Sequence, residues 1–137
     1  MPAKKHRIII DTNLWISFLL NKDFYKFDHL ISDKKVVLLF SQELLDEFIE
    51  VAARPKIKKY FAINELEQLI EQISLHAEFI DVTSHVNSCR DPKDNFLLSL
   101  ARDGKATHLI TGDKDLLDIE TFGNTDILSF TKYLTSV

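Results

Sequence analysis

Two acidic residues in this sequence follow directly on short apolar runs. Asp11 ends a β-branched run, and Asp113 comes two residues after Thr111, which closes a second run. Both runs are predicted to be parallel strands, and open α/β sheets bind ligands beyond the carboxyl ends of their strands. Asp11 and Asp113 are therefore expected to face one crevice, although Asp is also common in ordinary turns and helix caps.

A third carboxylate, that of Glu47, lies on a predicted helix. At about 100° per residue, Leu44, Phe48 and Val51 form the apolar side of this helix, and Glu47 borders it. The neighbouring acids of the same helix fall further into its polar face. Glu47 is thus the acid of this helix that is predicted to turn inward, and the alternative is a salt bridge at the edge of the apolar side.

Asp94 lies within the apolar side of its own predicted helix, in line with Leu98 and Ala101. A buried carboxylate without a partner is costly, so such an acid normally has a cation or hydrogen-bond donors beside it. Stabilisation by the helix dipole would explain an acid in the first turn but not one that faces the core. A role as the helix cap before Pro92 explains Asp91. Asp91 is therefore predicted to support the site without being a ligand itself.

Four converging carboxylates indicate a site for a cation, because like charges in one pocket repel one another. Oxygen ligands without cysteine favour Mg²⁺ or Mn²⁺ over zinc. Such a centre suits phosphodiester hydrolysis, with either one or two metal ions. Asp115 is predicted to be an accessory ligand or the cap of a short turn.

The elements that must position these acids alternate between strand and helix along the chain. Strands are predicted at 7–10, 36–40, 79–82, 108–111 and 127–130. This alternation predicts an α/β fold, a three-layer α/β/α sandwich with a mainly parallel central sheet. Residues 1–137 are expected to form a single domain.

Helix boundaries are predicted from capping residues. Thr12 or Asn13 begins the first helix, residues 23–31 form a second, and Ser41 begins a third that Pro55 ends. Asn64 and Glu67 resemble a capping box for a fourth helix. The Asp91–Pro92 pair begins a fifth helix, and Gly104 is predicted to be its C-terminal cap.

Composition and charge exclude several other classes. The single cysteine, Cys89, rules out an internal disulfide framework and favours a reducing cytoplasm. No apolar run is long enough for a signal peptide core or a membrane span, so a soluble, cytoplasmic protein without membrane contact is expected. The formal net charge of −4 counts against nucleic-acid binding unless the acids hold metal ions.

Four segments together resemble a PIN domain. They are IIIDTN, SQELLDEFIEVAARPKI, RDPKDNFLLSLA and HLITGDKDLL, which occur in the family's order over nearly the whole chain. The sequence is most similar to the branch of toxin components of toxin–antitoxin systems, related to VapC-like ribonucleases. Each of these short motifs also occurs outside the family, whereas the four in this order are characteristic of it.

The resemblance implies an endoribonuclease that cleaves single-stranded RNA with Mg²⁺ or Mn²⁺. It places the family's acids on Asp11, Glu47, Asp94 and Asp113, with Asp115 as an accessory. Asn13 and Thr111 match the small polar residues that accompany these acids. The implied partners are RNA and a small antitoxin protein, and a homodimer is compatible with the family.

Rival interpretations use the same residues differently. A PIN fold that binds RNA or protein without cleavage would leave the intact acids unexplained. A phosphoacceptor receiver domain would leave Glu47 and Asp94 without a role, and the three glycines form no dinucleotide-binding loop. A basic stretch beside two aromatic residues could contact RNA or could be a solvated helix end; it contains Arg54, Lys56, Lys58 and Lys59.

Overall fold

The central sheet has six strands in the order β3-β2-β1-β4-β6-β5 among the residues that the structure describes. The structure is a computed structural model, and it describes residues 5–21 and 35–136. Neighbouring strands are parallel except for the antiparallel pair β5 and β6. The strands are β1 His6–Ile10, β2 Val36–Phe40, β3 Ala77–Phe79, β4 His108–Ile110, β5 Thr121–Phe122 and β6 Thr125–Leu128.

Seven described helices flank this sheet, which confirms the predicted α/β/α arrangement with a mainly parallel sheet. They are α1 Thr12–Asn21, α2 Gln42–Ala52, α3 Pro55–Lys58, α4 Ile63–His76, α5 Pro92–Gly104, α6 Lys114–Leu117 and α7 Phe130–Ser136. None of the described helices is both long and apolar enough to cross a membrane. The predicted helix at 23–31 lies outside the described residues.

Strand β1 occupies the middle of the sheet because its side chains are apolar on both faces. Ile8, Ile9 and Ile10 are fully buried, as expected for a parallel strand covered by helices on each side. Its neighbours β2 and β4 run in the same direction, so their carboxyl ends meet at one edge. Asp11 and Thr111, which directly follow β1 and β4, are brought to that edge.

An aromatic cluster joins α1 to α2 beneath this edge. Trp15 is fully buried, and its ring centroid lies 5.6 Å from that of Phe40 and 6.4 Å from that of Phe48. Burial of such large side chains supplies a major part of the core's stability. Because Phe48 is held in this cluster, the preceding residue, Glu47, is kept near the carboxyl edge of the sheet.

Two predicted strand boundaries are wrong. Strand β3 spans Ala77–Phe79 rather than 79–82, because its partner β2 ends at Phe40 and offers no further residues for pairing. The last strand of the parallel set is Thr125–Leu128 rather than 127–130, and it forms a hairpin with β5, a strand that the sequence pattern does not predict. Ser129 ends this strand because its hydroxyl accepts the Lys132 N–H and begins α7.

Two predicted caps are also wrong. Helix α4 begins after Ala62, whose N–H donates to the Glu65 side chain, so Asn64 and Glu67 do not form its capping box. Gly104 is the last residue of α5, and Lys105 is the cap with a left-handed φ of 53°. Gly104 is needed for close packing instead, because a Cβ there would lie 3.0 Å from Leu39 Cδ1.

Candidate metal centre

Asp11 is fixed at the carboxyl edge by both its backbone and its side chain. Its N–H donates to the Ile110 carbonyl at 2.9 Å, which extends the pairing of β1 with β4. The Thr111 hydroxyl donates to Asp11 Oδ2 at 2.8 Å and accepts the Asp113 N–H at 3.0 Å. Burial raises the pKa of Asp11, and the nearby carboxylates of Glu47 and Asp113 raise it further.

Asp113 is the cap of the short helix α6. Its Oδ1 accepts the Asp115 N–H at 2.9 Å, which aligns the two side chains at the start of this turn. Asp115 is more exposed, and its Oδ2 lies 3.4 Å from Arg90 Nη2 at the rim. The sequence leaves Asp115 as either a ligand or a cap, and the structure assigns the capping position to Asp113.

Asp94 is the most deeply buried of the described acids in this region, with 4% of its surface exposed. Asp91 caps α5 by accepting the Lys93 N–H at 2.9 Å, and Pro92 follows as the first helical residue. This start of the helix turns Asp94 inward, where its Oδ2 has no hydrogen-bond partner among the described residues. Burial, followed by the nearby carboxylate of Asp113, raises the pKa of Asp94 from 3.8 to about 7.

Glu47 reaches the same region from α2. Its Oε1 lies 3.3 Å from Lys93 Nζ, and its side chain is 28% exposed. Glu47 therefore lines the acidic cavity and also forms a salt bridge, so both positions that the helical pattern left open are present, and its role as a ligand stays a prediction. Lys93 was missed by the sequence reasoning, although its place one residue before Asp94 and four before Leu97 puts it on the same side of α5.

These side chains line one small cavity of about 80 Å³. The cavity residues are Asp11, Asn13, Glu47, Asp91, Lys93, Asp94, Leu97 and Asp113. All four acids predicted as ligands are thus brought together, with Asn13 and Asp91 beside them and Thr111 behind Asp11. Within the described ranges, the closest group of carboxylate oxygens belongs to Asp94, Asp113 and Asp115, which lie within 4.8 Å of one another.

The cavity suits a divalent cation with oxygen ligands. Three carboxylate oxygens at this separation can share one ion, and the unpartnered Asp94 Oδ2 offers a buried acceptor that lacks a donor within the described part of the chain. An ionised carboxylate in that place is costly unless a cation offsets its charge. Carboxylate oxygen is the ligand type that Mg²⁺ and Mn²⁺ prefer.

The sequence profile of the PIN domain matches residues 7–115. The chain belongs to the PIN-domain family. It is also 34% identical over 122 residues to an uncharacterised protein of Methanocaldococcus jannaschii, covering 87% of this chain and 78% of that protein. Members of the PIN family are typically nucleases.

The fold of this PIN domain is similar to that of a solved toxin–antitoxin structure. The structure is VapBC2 from Rickettsia felis bound to a DNA fragment from its promoter. The match has a TM-score of 0.57 and 15% sequence identity, and it covers 90% of this chain and 98% of the other. At this level of identity the likeness concerns the fold.

The predicted basic stretch of this PIN domain lies outside the acidic cavity. Arg54 and Lys56 line a separate surface depression with Val51 and Ile57. Arg54 Nη2 is 3.1 Å from Glu50 of the same helix region, so its charge is already partly offset. A role of this stretch in RNA binding stays a prediction.

Proposed function

We propose that this PIN domain is a metal-dependent endoribonuclease that hydrolyses phosphodiester bonds of single-stranded RNA. The observation that carries the proposal is the buried Asp94 carboxylate, whose Oδ2 lacks a hydrogen-bond partner among the described residues and which lies beside Asp113 and Asp115. Membership of a family of nucleases supports the same activity. The chemistry of the acids favours Mg²⁺ or Mn²⁺ as the cofactor.

Asp94 and Asp113 are the central metal ligands in this proposal, and Asp115 completes the closest group of oxygens. Asp11 and Glu47 line the same cavity and act as ligands or as acceptors for a proton of the attacking water. A divalent cation bound here would lower the pKa of a water molecule and offset the charge that develops on the phosphate.

Three polar residues hold these acids in place. Thr111 keeps the Asp11 carboxylate oriented through its 2.8 Å hydrogen bond and positions the Asp113 backbone at 3.0 Å. Asp91 fixes the first turn of α5, and the Asn13 backbone hydrogen-bonds the Asp11 carboxylate at the border of the cavity. Such residues behind the ligands typically change metal affinity or activity by about 10- to 100-fold when they are removed.

A nuclease assay on a panel of single-stranded RNAs tests the proposal. Cleavage is expected with Mg²⁺ or Mn²⁺, and EDTA or the change Asp94→Asn should abolish it. Cleavage that persists in EDTA would contradict the metal-dependent mechanism. Metal and RNA binding without cleavage of any RNA would instead support a PIN fold that acts as a silent binding module.

The biological role that we propose is that of the toxin in a cytoplasmic toxin–antitoxin pair. The fold likeness to VapBC2, which is bound to a promoter DNA fragment, supports a small antitoxin protein as partner. A homodimer of this chain is part of the same proposal. Co-purification with the product of any small reading frame adjacent to this gene tests the first point, and light scattering tests the second.

A further inference from the structure

Lys93 is the one basic side chain among the described residues that line the acidic cavity. It stands in the first turn of α5, directly before Asp94, and its Nζ lies 3.3 Å from Glu47 Oε1. The two residues belong to different helices, so this ion pair is a product of the fold. A lysine in this wall adds positive charge where a phosphodiester backbone would have to approach five acids.

We propose that Lys93 alternates between two partners. Without a metal ion in the cavity it pairs with the Glu47 carboxylate, and when Glu47 holds a metal ion it contacts a phosphate oxygen of single-stranded RNA. The RNA part of this inference rests on the proposed function. The metal-free pairing is the one that the structure contains. Lys93 is thus a substrate-positioning residue, and it offsets part of the cavity's charge in the absence of metal.

The exposure of the pair allows this exchange. The Lys93 side chain is 61% exposed and that of Glu47 is 28% exposed. A lysine ammonium is a compact charge on a flexible stem, so it can change partners without movement of the backbone. Exposed ion pairs contribute little to stability, and a fixed structural role for Lys93 would therefore be unexpected.

Competition for the Glu47 carboxylate determines which partner Lys93 has. A cation held by Glu47 would compete with the ammonium for the same carboxylate, because both need its negative charge. Lys93 would then be free to face solvent at the mouth of the cavity. Arg90, at the rim beside Asp115, is 91% exposed and does not line the cavity, so it offers a nearby comparison.

The first test uses RNA binding in EDTA, where no metal-dependent cleavage can occur. Glu47→Gln releases Lys93 and should tighten binding of a single-stranded RNA several-fold, with a salt dependence steeper by about 0.7 in log–log slope. Adding Lys93→Gln should remove both effects, whereas adding Lys93→Arg should retain them. Glu43→Gln removes the same charge from the same helix and serves as the matched control.

Equal RNA affinity for Glu47→Gln with and without Lys93→Gln would overturn the proposal. So would an equal gain from Glu43→Gln, because that result would indicate a general charge effect. Circular dichroism of each variant verifies that it is folded. Arg90→Gln in place of Lys93→Gln should leave the gain from Glu47→Gln largely intact, and loss of the gain there would also count against Lys93.

The second test measures Mn²⁺ binding by calorimetry without RNA. Lys93→Gln removes the competitor for Glu47 and should tighten Mn²⁺ binding several-fold, and weaker binding in this variant would contradict the competition. Absence of Mn²⁺ binding in the unmodified protein would contradict the proposed function, and the RNA test in EDTA would still decide the phosphate contact.

Discussion

Replacing Asp94 by Asn should stabilise the metal-free protein while abolishing cleavage. The carboxylate is 4% exposed, one oxygen has no hydrogen-bond partner among the described residues, and its pKa is raised from 3.8 to about 7. That rise corresponds to a cost of about 4 kcal/mol for holding Asp94 ionised in the folded state. The asparagine side chain carries no charge, so the change should raise the melting temperature by roughly 10 °C at pH 8.

The stability gained by Asp94→Asn should increase as the pH rises. Between pH 3.8 and about 7 the unfolded chain ionises Asp94 while the folded protein keeps it protonated, so the stability of the wild type falls as pH rises. The penalty is complete above pH 7 and is only about 2 kcal/mol at pH 5. The advantage of Asp94→Asn should therefore be largest at about pH 8 and shrink steadily toward about pH 4.

Thermal unfolding in EDTA at about pH 5 and about pH 8 measures this effect. Asp103→Asn is the matched control in the same helix, because the Ser84 hydroxyl and backbone lower the pKa of Asp103 and its loss should destabilise. Saturating Mn²⁺ should reverse the order of wild type and Asp94→Asn, since a ligand stabilises the state that binds it. A lower melting temperature for Asp94→Asn in EDTA at the higher pH, or a gain that does not change with pH, would refute the reasoning.

Three further predictions concern other parts of the molecule. Glu47→Gln should lower turnover by about a hundredfold or more. Glu43→Gln, on the exposed face of the same helix, should leave turnover nearly normal. Steady-state kinetics of both variants at one Mn²⁺ concentration measure the difference. Gly104→Ala should destabilise by about 1–3 kcal/mol in denaturant unfolding, because the added Cβ would lie 3.0 Å from Leu39 Cδ1 and 3.3 Å from Ile80 Cγ1. A neutral result would mean that these side chains yield, and it would contradict the prediction. Burial lowers the pKa of the His108 imidazole. The contribution of His108 to stability is therefore complete above pH 6.5 and is lost as the pH falls below that value. His108→Gln should lessen the loss of stability on acidification, and an unchanged dependence of stability on pH would contradict this.

The positions of several site residues follow from local sequence alone. Asp11 comes directly after β1 by covalent connection, so any fold that buries this strand brings Asp11 to its carboxyl edge. The 3.6-residue period of α2 and α5 likewise determines that Glu47 and Asp94 turn toward the apolar side. These features are properties of single elements, and a sequence pattern is sufficient to predict them.

Features that depend on a neighbouring strand or helix could not be predicted from the local sequence pattern. The end of β3 is decided by the length of β2, and the role of Gly104 in helix α5 is decided by the approach of the Leu39 side chain from β2. The hairpin partner β5 is two residues long and carries too little pattern to be recognised. Each of these outcomes depends on contacts between segments that are distant in the chain.

The sequence by itself determined the side of their own elements on which Glu47 and Asp94 lie, because side-chain direction within a helix is fixed by local geometry. Only the tertiary structure decided how they combine: Asp94 with Asp113 and Asp115, and Glu47 with Lys93. Those pairings depend on distances of a few ångströms between elements and on the rotamers of long side chains. Such distances are set by the packing of the whole core, which no single segment of the sequence encodes.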